Sequence, residues 1–332
     1  MEGQVRAPDQ ERRMERRALS RALSAVGLTL LLYLLAASST SLPVNLLRRL
    51  WQAEGVEITA SMAQMVNMAS YAYSILVPLL FLALFQGPRR TGRPLFPLGL
   101  PRRGVFLPAL GVCLGVCTTS NYLSTWLAML LQENFPGALP SYQAAIPTRG
   151  LPLALGLISA AVLPAILEEL LFRGAILQGL RPYGDGYAIL LSALAFALCH
   201  TTVPQLLPAL LAGLCFGYFA VMSGSLWVTI FIHCFYNLLA AAVELAGSLG
   251  GEEMQMLVSV SISAASLLCC LGGFLALCRR FRDDLGLRGR YRGSLSLPRR
   301  WLSAAANLPL LLAAVLLCWT TWSPLLEEVL AP

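Results

Sequence analysis

Residues 151–179 read LPLALGLISAAVLPAILEELLFRGAILQG. The stretch is long and apolar enough for a membrane-spanning helix, which needs roughly 20 mostly apolar residues. Three ionisable side chains interrupt it: Glu168, Glu169 and Arg173. An ionised group at the centre of such a helix costs roughly 2.5–3.5 kcal/mol on insertion scales, so these groups are expected to face a bundle interior or a wet cavity.

The rest of the chain has the same character. It has 332 residues, 57% hydrophobic and 12% charged, where a soluble domain carries about 25% charge. No polar stretch is long enough to fold by itself. Further apolar runs at 22–42, 61–86, 105–131, 188–203, 205–222, 226–248, 254–278 and 301–319 bring the expected number of spans to nine. Pro204 and Pro208 interrupt the region 188–222, which reads as two short spans or as a broken, partly re-entrant pair. The fold class expected is all-α, a polytopic transmembrane helix bundle of about eight to nine spans. Its organisation would be an Arg-rich tail (1–21), three N-terminal helices (22–150), a core (151–250) and C-terminal helices with an Arg-rich loop (251–332).

The charge pattern sets an orientation. All 24 basic residues are arginine, and nineteen lie in 1–21, 87–104 and 279–300. With nine spans these three segments fall on one side, the cytoplasmic one by the positive-inside rule. The N-terminus is expected inside, followed by an uncleaved first span. Arginine between apolar runs is a topology signal rather than a nucleic-acid footprint, so no nucleic-acid partner is expected. The nine cysteines fall within or at the ends of apolar runs, as packing residues do. Gly111/Gly115 and Gly213/Gly217 form GxxxG pairs that allow close helix contact.

The buried polar residues carry the chemistry. Glu169 and Arg173 are four apart with the acid on the N-terminal side, the favoured order for an ion pair. Glu168 is rotated by about 100° from Glu169 and points elsewhere. One carboxylate neutralised by arginine beside one free to titrate separates a structural anion from a general base. The chain has two histidines, His200 and His233, both in apolar spans, with Phe196 four before the first and Asn237 four after the second. Imidazole can be acid, base or metal ligand, and an amide is a good oxyanion donor. Together these groups suffice to activate water and stabilise a tetrahedral intermediate. A Ser-His-Asp triad lacks an intramembrane Asp, and no HExxH occurs. Glu244, near the end of its span, reads as a surface group.

Glu168-Glu169-x-x-x-Arg173, Phe196-x-x-x-His200 and His233-x-x-x-Asn237 resemble the three ordered motifs of the CAAX prenyl endopeptidase and bacteriocin-processing (Abi, CPBP) family, over about residues 151–245. The resemblance implies an integral-membrane endopeptidase in which Glu168 activates water with help from His200, Glu169 and Arg173 support the site, and His233 and Asn237 stabilise the oxyanion. It leaves two mechanisms open. One is metal-free; the other places Zn²⁺ on Glu168, His200 and His233 with an open water position. The partners implied are a peptide or membrane-protein substrate and the lipid bilayer. Absent lysine and abundant Ala, Leu, Gly and Arg suggest a GC-rich bacterial genome and hence the bacterial cytoplasmic membrane. The helix positions predict a site opening to the cytoplasmic side. Two other classes stand beside the protease: a non-catalytic scaffold or bacteriocin-immunity protein, and an ion-coupled transporter, for which the repeat of spans common in transporters is missing.

Overall fold

The computed structural model describes residues 8–85, 94–137, 139, 146–287, 291 and 293–330. Arg6, Arg89, Arg90, Arg93, Arg288, Arg290 and Arg292 of the orientation argument lie outside the described residues. The described residues form helices joined by loops and turns, with no strand among them. Helix α1 (Pro8–Ser39) leads into α2 (Ser41–Ala53); α3 (Ala60–Phe85) and α4 (Phe106–Asn134) follow. A composite helix, α5 (150–180), is followed by the shorter α6 (Asp185–Leu198) and by α7 (Val203–Ser223). One continuous stretch, Leu226–Arg280, is divided at Gly251, whose φ of 74° and ψ of −171° break the helix into α8 (226–250) and α9 (252–280). The positive φ is one that glycine adopts without steric penalty. Helices α10 (Leu297–Ala305) and α11 (Leu308–Val329) complete the bundle.

Among the described residues, seven helical stretches are long and apolar enough to cross a membrane, and the one divided at Gly251 supplies two helices, each of spanning length. Helix α6, with 14 residues, is a short ninth element. Leucines on the outside are bare: Leu84 is 86% exposed and Leu268 72%. A surface this apolar belongs in lipid rather than water, and the protein is an integral membrane protein.

The region 188–222 resolves into two helices, α6 and α7, packed on one another. Gly213 permits this: a Cβ there would sit 2.9 Å from Ala193 of α6. The helix that carries the expected first span starts before it, because residues 8–21 of the Arg-rich tail are also helical. The last span, expected at 301–319, runs instead over Leu308–Val329. Asn307 caps it by accepting a hydrogen bond from the Leu310 amide at 3.3 Å, with Pro309 in the first turn, so the helix starts where that cap stands. Asn307 also donates to Ser24 Oγ at 2.9 Å, which ties α11 to α1.

One end of the bundle is bound together by polar contacts. The Leu226 amide donates to Pro97 O at 2.8 Å, Ser225 Oγ to Gly99 O at 2.6 Å, and the Arg102 amide to Ser223 O at 2.9 Å. Arg102 pairs with Asp284 at 2.7 Å. These contacts place the N-termini of α4 and α8 beside the C-termini of α7 and α9, on the end that carries the Arg-rich loops. At mid-depth, α4 lies against α9 through its GxxxG pair. A Cβ at Gly111 would come 2.2 Å from Cys269 O, and one at Gly115 2.3 Å from Cys270 Cβ. Gly272, on the outer face of α9, has nothing within 4 Å of a built Cβ. Gly111→Leu should therefore destabilise the bundle by about 1–3 kcal/mol or more through forced separation of α4 and α9. Gly272→Leu should leave stability unchanged; heating purified protein in detergent and following its monodisperse fraction compares the two.

Candidate active site

The site grows out of α5. Pro164 has no amide proton to donate to the preceding turn, and the residues just before it, Ile158–Val162, are wound as a π-helix. A second π segment spans Glu169–Ile176. Wide turns of this kind are frequent at functional sites. They disturb backbone pairing, and side chains restore it: Ser192 Oγ of α6 donates to Phe172 O at 2.7 Å, and Gln178 Nε2 to Arg173 O at 3.2 Å.

Glu169 and Arg173 are both fully buried, and Arg173 Nη1 donates to Glu169 Oε1 at 2.7 Å. Three polar atoms of the pair, Glu169 Oε2 and Arg173 Nε and Nη2, have no hydrogen-bond partner among the described residues. The guanidinium is covered by rings instead. Its carbon lies 4.1 Å from the centroid of Phe196 and 5.1 Å from that of Phe216. A desolvated cation over an aromatic face gains about 2 kcal/mol, which offsets part of the missing hydrogen bonding.

His233, from the second turn of α8, meets both acids. Its Nδ1 is 3.1 Å from Glu169 Oε1, and its Nε2 is 3.8 Å from Glu168 Oε2. A carboxylate has no proton to give, so Nδ1–H is the donor to Glu169 and Nε2 is turned toward Glu168. Phe216 lies 5.2 Å from the imidazole, ring to ring, and fixes its plane. Glu168 is the accessible acid of the pair, with a side chain 15% exposed against 0% for Glu169. It accepts a hydrogen bond from Tyr71 Oη of α3 at 2.5 Å. A phenol buried in a span needs such a partner, but nothing local in the sequence pairs Tyr71 with a carboxylate 97 positions away.

His200 stands in the turn after α6 rather than inside a span, since α6 ends at Leu198. Its Nδ1 donates to Phe196 O at 2.8 Å, which leaves Nε2 free. The neighbouring Thr201 has a φ of 50°, the one non-glycine residue with positive φ among those described. His200, His233 and Asn237 line a cavity of about 200 Å³ between α4, α7 and α8, together with Asn121 and Gln205. The structure thus gathers Glu168, Glu169, Arg173 and His233 into contact and sets His200 and Asn237 around a shared space with His233. Among the described residues, no three His, Cys, Asp or Glu side chains converge closely enough to hold a metal ion. Glu168, His200 and His233 do not fit a zinc centre in this arrangement.

The cavity extends away from the Arg-rich end. A second space of about 430 Å³ shares Asn121, Tyr236 and Ala240 with the first and reaches Glu244 near the end of α8 and Gln255 near the start of α9. The expected opening toward the Arg-rich side is corrected by this course, because α9 folds back at Gly251 and leaves room between its first turns, α4 and α8. Glu244, half-exposed as expected of a group near the end of its span, lines the space.

The chemistry within reach is hydrolytic: a carboxylate held by a phenol, an imidazole facing it, and a second imidazole and a carboxamide around a small cavity. Residues 150–239 match the sequence profile of the family described as Type II CAAX prenyl endopeptidase Rce1-like. No curated protein and no solved structure gives a significant match to the chain. The matched segment runs from the start of α5 to the middle of α8 and contains every residue of the three motifs. Over residues 150–239, about a quarter of its length, the chain is thus similar to the CAAX prenyl endopeptidase family, and this match supports the resemblance carried by the three motifs.

Proposed function

We propose that the protein hydrolyses a peptide bond of a membrane-associated substrate by a metal-free, glutamate-dependent mechanism. The observation that carries this reading is the placement of His233 between two differently held carboxylates, Glu169 at 3.1 Å and Glu168 at 3.8 Å. Glu169 is neutralised by Arg173 and fixes the ring. Glu168, oriented by Tyr71, keeps an accessible face.

Water held between Glu168 and the His200 Nε2 attacks the carbonyl carbon of the scissile bond. Its proton passes to Glu168 as the C–O bond forms. The oxyanion accepts a hydrogen bond from the Asn237 amide, and from His233 Nε2 when that ring is protonated. Glu168 then delivers its proton to the leaving nitrogen as the C–N bond breaks, giving a carboxylic acid and an amine. Residues 151–250 form the catalytic core in this scheme, with residues 22–150 and 251–332 as the flanking helices. The Arg-rich end faces the cytoplasm of a bacterial cell by the positive-inside rule.

Glu168→Ala should lower peptide cleavage by purified protein about 10²–10⁴-fold without loss of folding, since a positioned general base contributes that much. Tyr71→Phe removes one hydrogen bond to a charged group, about 1.5–3 kcal/mol, and should lower kcat with little change in KM. Full activity in the Glu168→Ala protein would sink the mechanism. Arg173→Met leaves Glu169 as an uncompensated buried charge, which costs about 3–5 kcal/mol. It should therefore lower the unfolding temperature as well as activity, whereas Glu168→Ala lowers activity alone. Cleavage should persist in excess chelator; inhibition restored by added Zn²⁺ would overturn the metal-free scheme.

A further inference from the structure

The larger cavity has a composition that packing does not explain. It is bounded by α4, α8 and α9, and Asn121, Tyr122, Thr125, Gln255 and Ser259 give it a polar lining. Glu244 is the one carboxylate among the described residues lining either space, and no arginine lines them. Its carboxylate has no ion-pair partner among the described residues. A half-buried anion facing a partly polar cavity near the end of a span is an attractive site for a cation. The lining is otherwise held: Tyr122 Oη and Ser263 Oγ are 2.6 Å apart, linking α4 to α9. Gln255 sits against Gly247, where a Cβ would come 2.9 Å from its Oε1. The space is thus part of the folded bundle, and it borders the inner cavity at Asn121, Tyr236 and Ala240.

We propose that this cavity is a peptide subsite that selects a positive charge, a lysine or arginine side chain or a free amino group, through Glu244. The inference rests on the proteolytic reading of the inner site, because it treats the two spaces as one path for a peptide. His233 and Glu244 are eleven positions apart on α8, about 16 Å at 1.5 Å per residue. An extended chain covers about 3.3–3.6 Å per residue, so the charge falls about five residues from the bond that is cut. Asn121, shared by both spaces, offers amide hydrogen bonds to the backbone between them.

The test uses full-length protein in detergent and a dye-labelled decapeptide set in which Lys, Ala or Glu occupies each position in turn. Binding is read by fluorescence anisotropy on Glu168→Ala protein, so that cleavage does not interfere. At the positions that reach Glu244, Lys should bind about tenfold more tightly than Glu. Adding Glu244→Arg should reverse that order. Adding Glu253→Gln, which removes an exposed carboxylate at the same end outside the cavity, should leave it unchanged. No binding, no charge preference, or a preference that survives Glu244→Arg or collapses with Glu253→Gln would overturn the subsite. Cleavage of the same peptides by wild-type protein is measured separately. Cleavage without dependence on Glu244 sinks the subsite and leaves the protease standing. Charge-selective binding that depends on Glu244, with no cleavage of any peptide, sinks the proteolytic reading and leaves a cation-selective peptide site.

Discussion

The buried pair of Glu169 and Arg173 is the constraint from which the site follows. Two full charges at zero exposure in the middle of a membrane bundle are tolerable only if the surroundings answer each of them. Arg173 answers Glu169 from one turn away, His233 answers it from α8, and the rings of Phe196 and Phe216 cover the guanidinium from α6 and α7. Four helices are thereby drawn to one point. The geometry around Glu168 and His200 is set on that point, since Phe196 both covers Arg173 and offers its carbonyl to His200. The pair contributes less to net stability than to the choice of one arrangement of helices over others, the role best attested for buried polar groups that fix register.

A division of labour between adjacent residues results. Glu168 and Glu169 share a backbone and differ in almost everything else. One is sealed and held by a permanent cation; the other is reached by a phenol and a partly open space. Neighbouring positions on a helix point about 100° apart, and that rotation is enough to put one side chain into the interhelical core and the other toward α3. The π-wound turns of 169–176 sit at this junction.

Much of this was legible in the residues, and the limits have physical reasons. The i,i+4 order of Glu169 and Arg173 predicts their ion pair because helix geometry is local. Hydropathy finds the spans because lipid requires long apolar runs. Contacts between distant helices leave no such trace: Tyr71 is an unremarkable residue in an apolar run until α3 is laid against α5. Glu244 reads as a surface group from its depth, and the return of α9 at Gly251 adds what depth does not tell, a polar wall opposite it. The misplaced last span has a different cause. Asn307 and Pro309 form a helix-start signal that hydropathy averaging over 301–319 passes across, so a capping argument would have found the boundary.

Helix α6 has one more consequence. Its 14 residues rise about 21 Å, well short of a hydrocarbon layer of about 30 Å. The turn at 199–202 therefore lies at membrane depth, where irregular backbone is tolerated only against protein or a watered cavity. Protein supplies the partners: Cys199 O accepts from Tyr33 Oη of α1 at 3.2 Å, the His200 amide donates to Ala197 O at 3.1 Å, and Thr202 O accepts from the Gln205 amide at 3.1 Å. The short helix thus does more than carry His200: it makes the first helix of the chain a sealing wall for the turn on which that histidine stands.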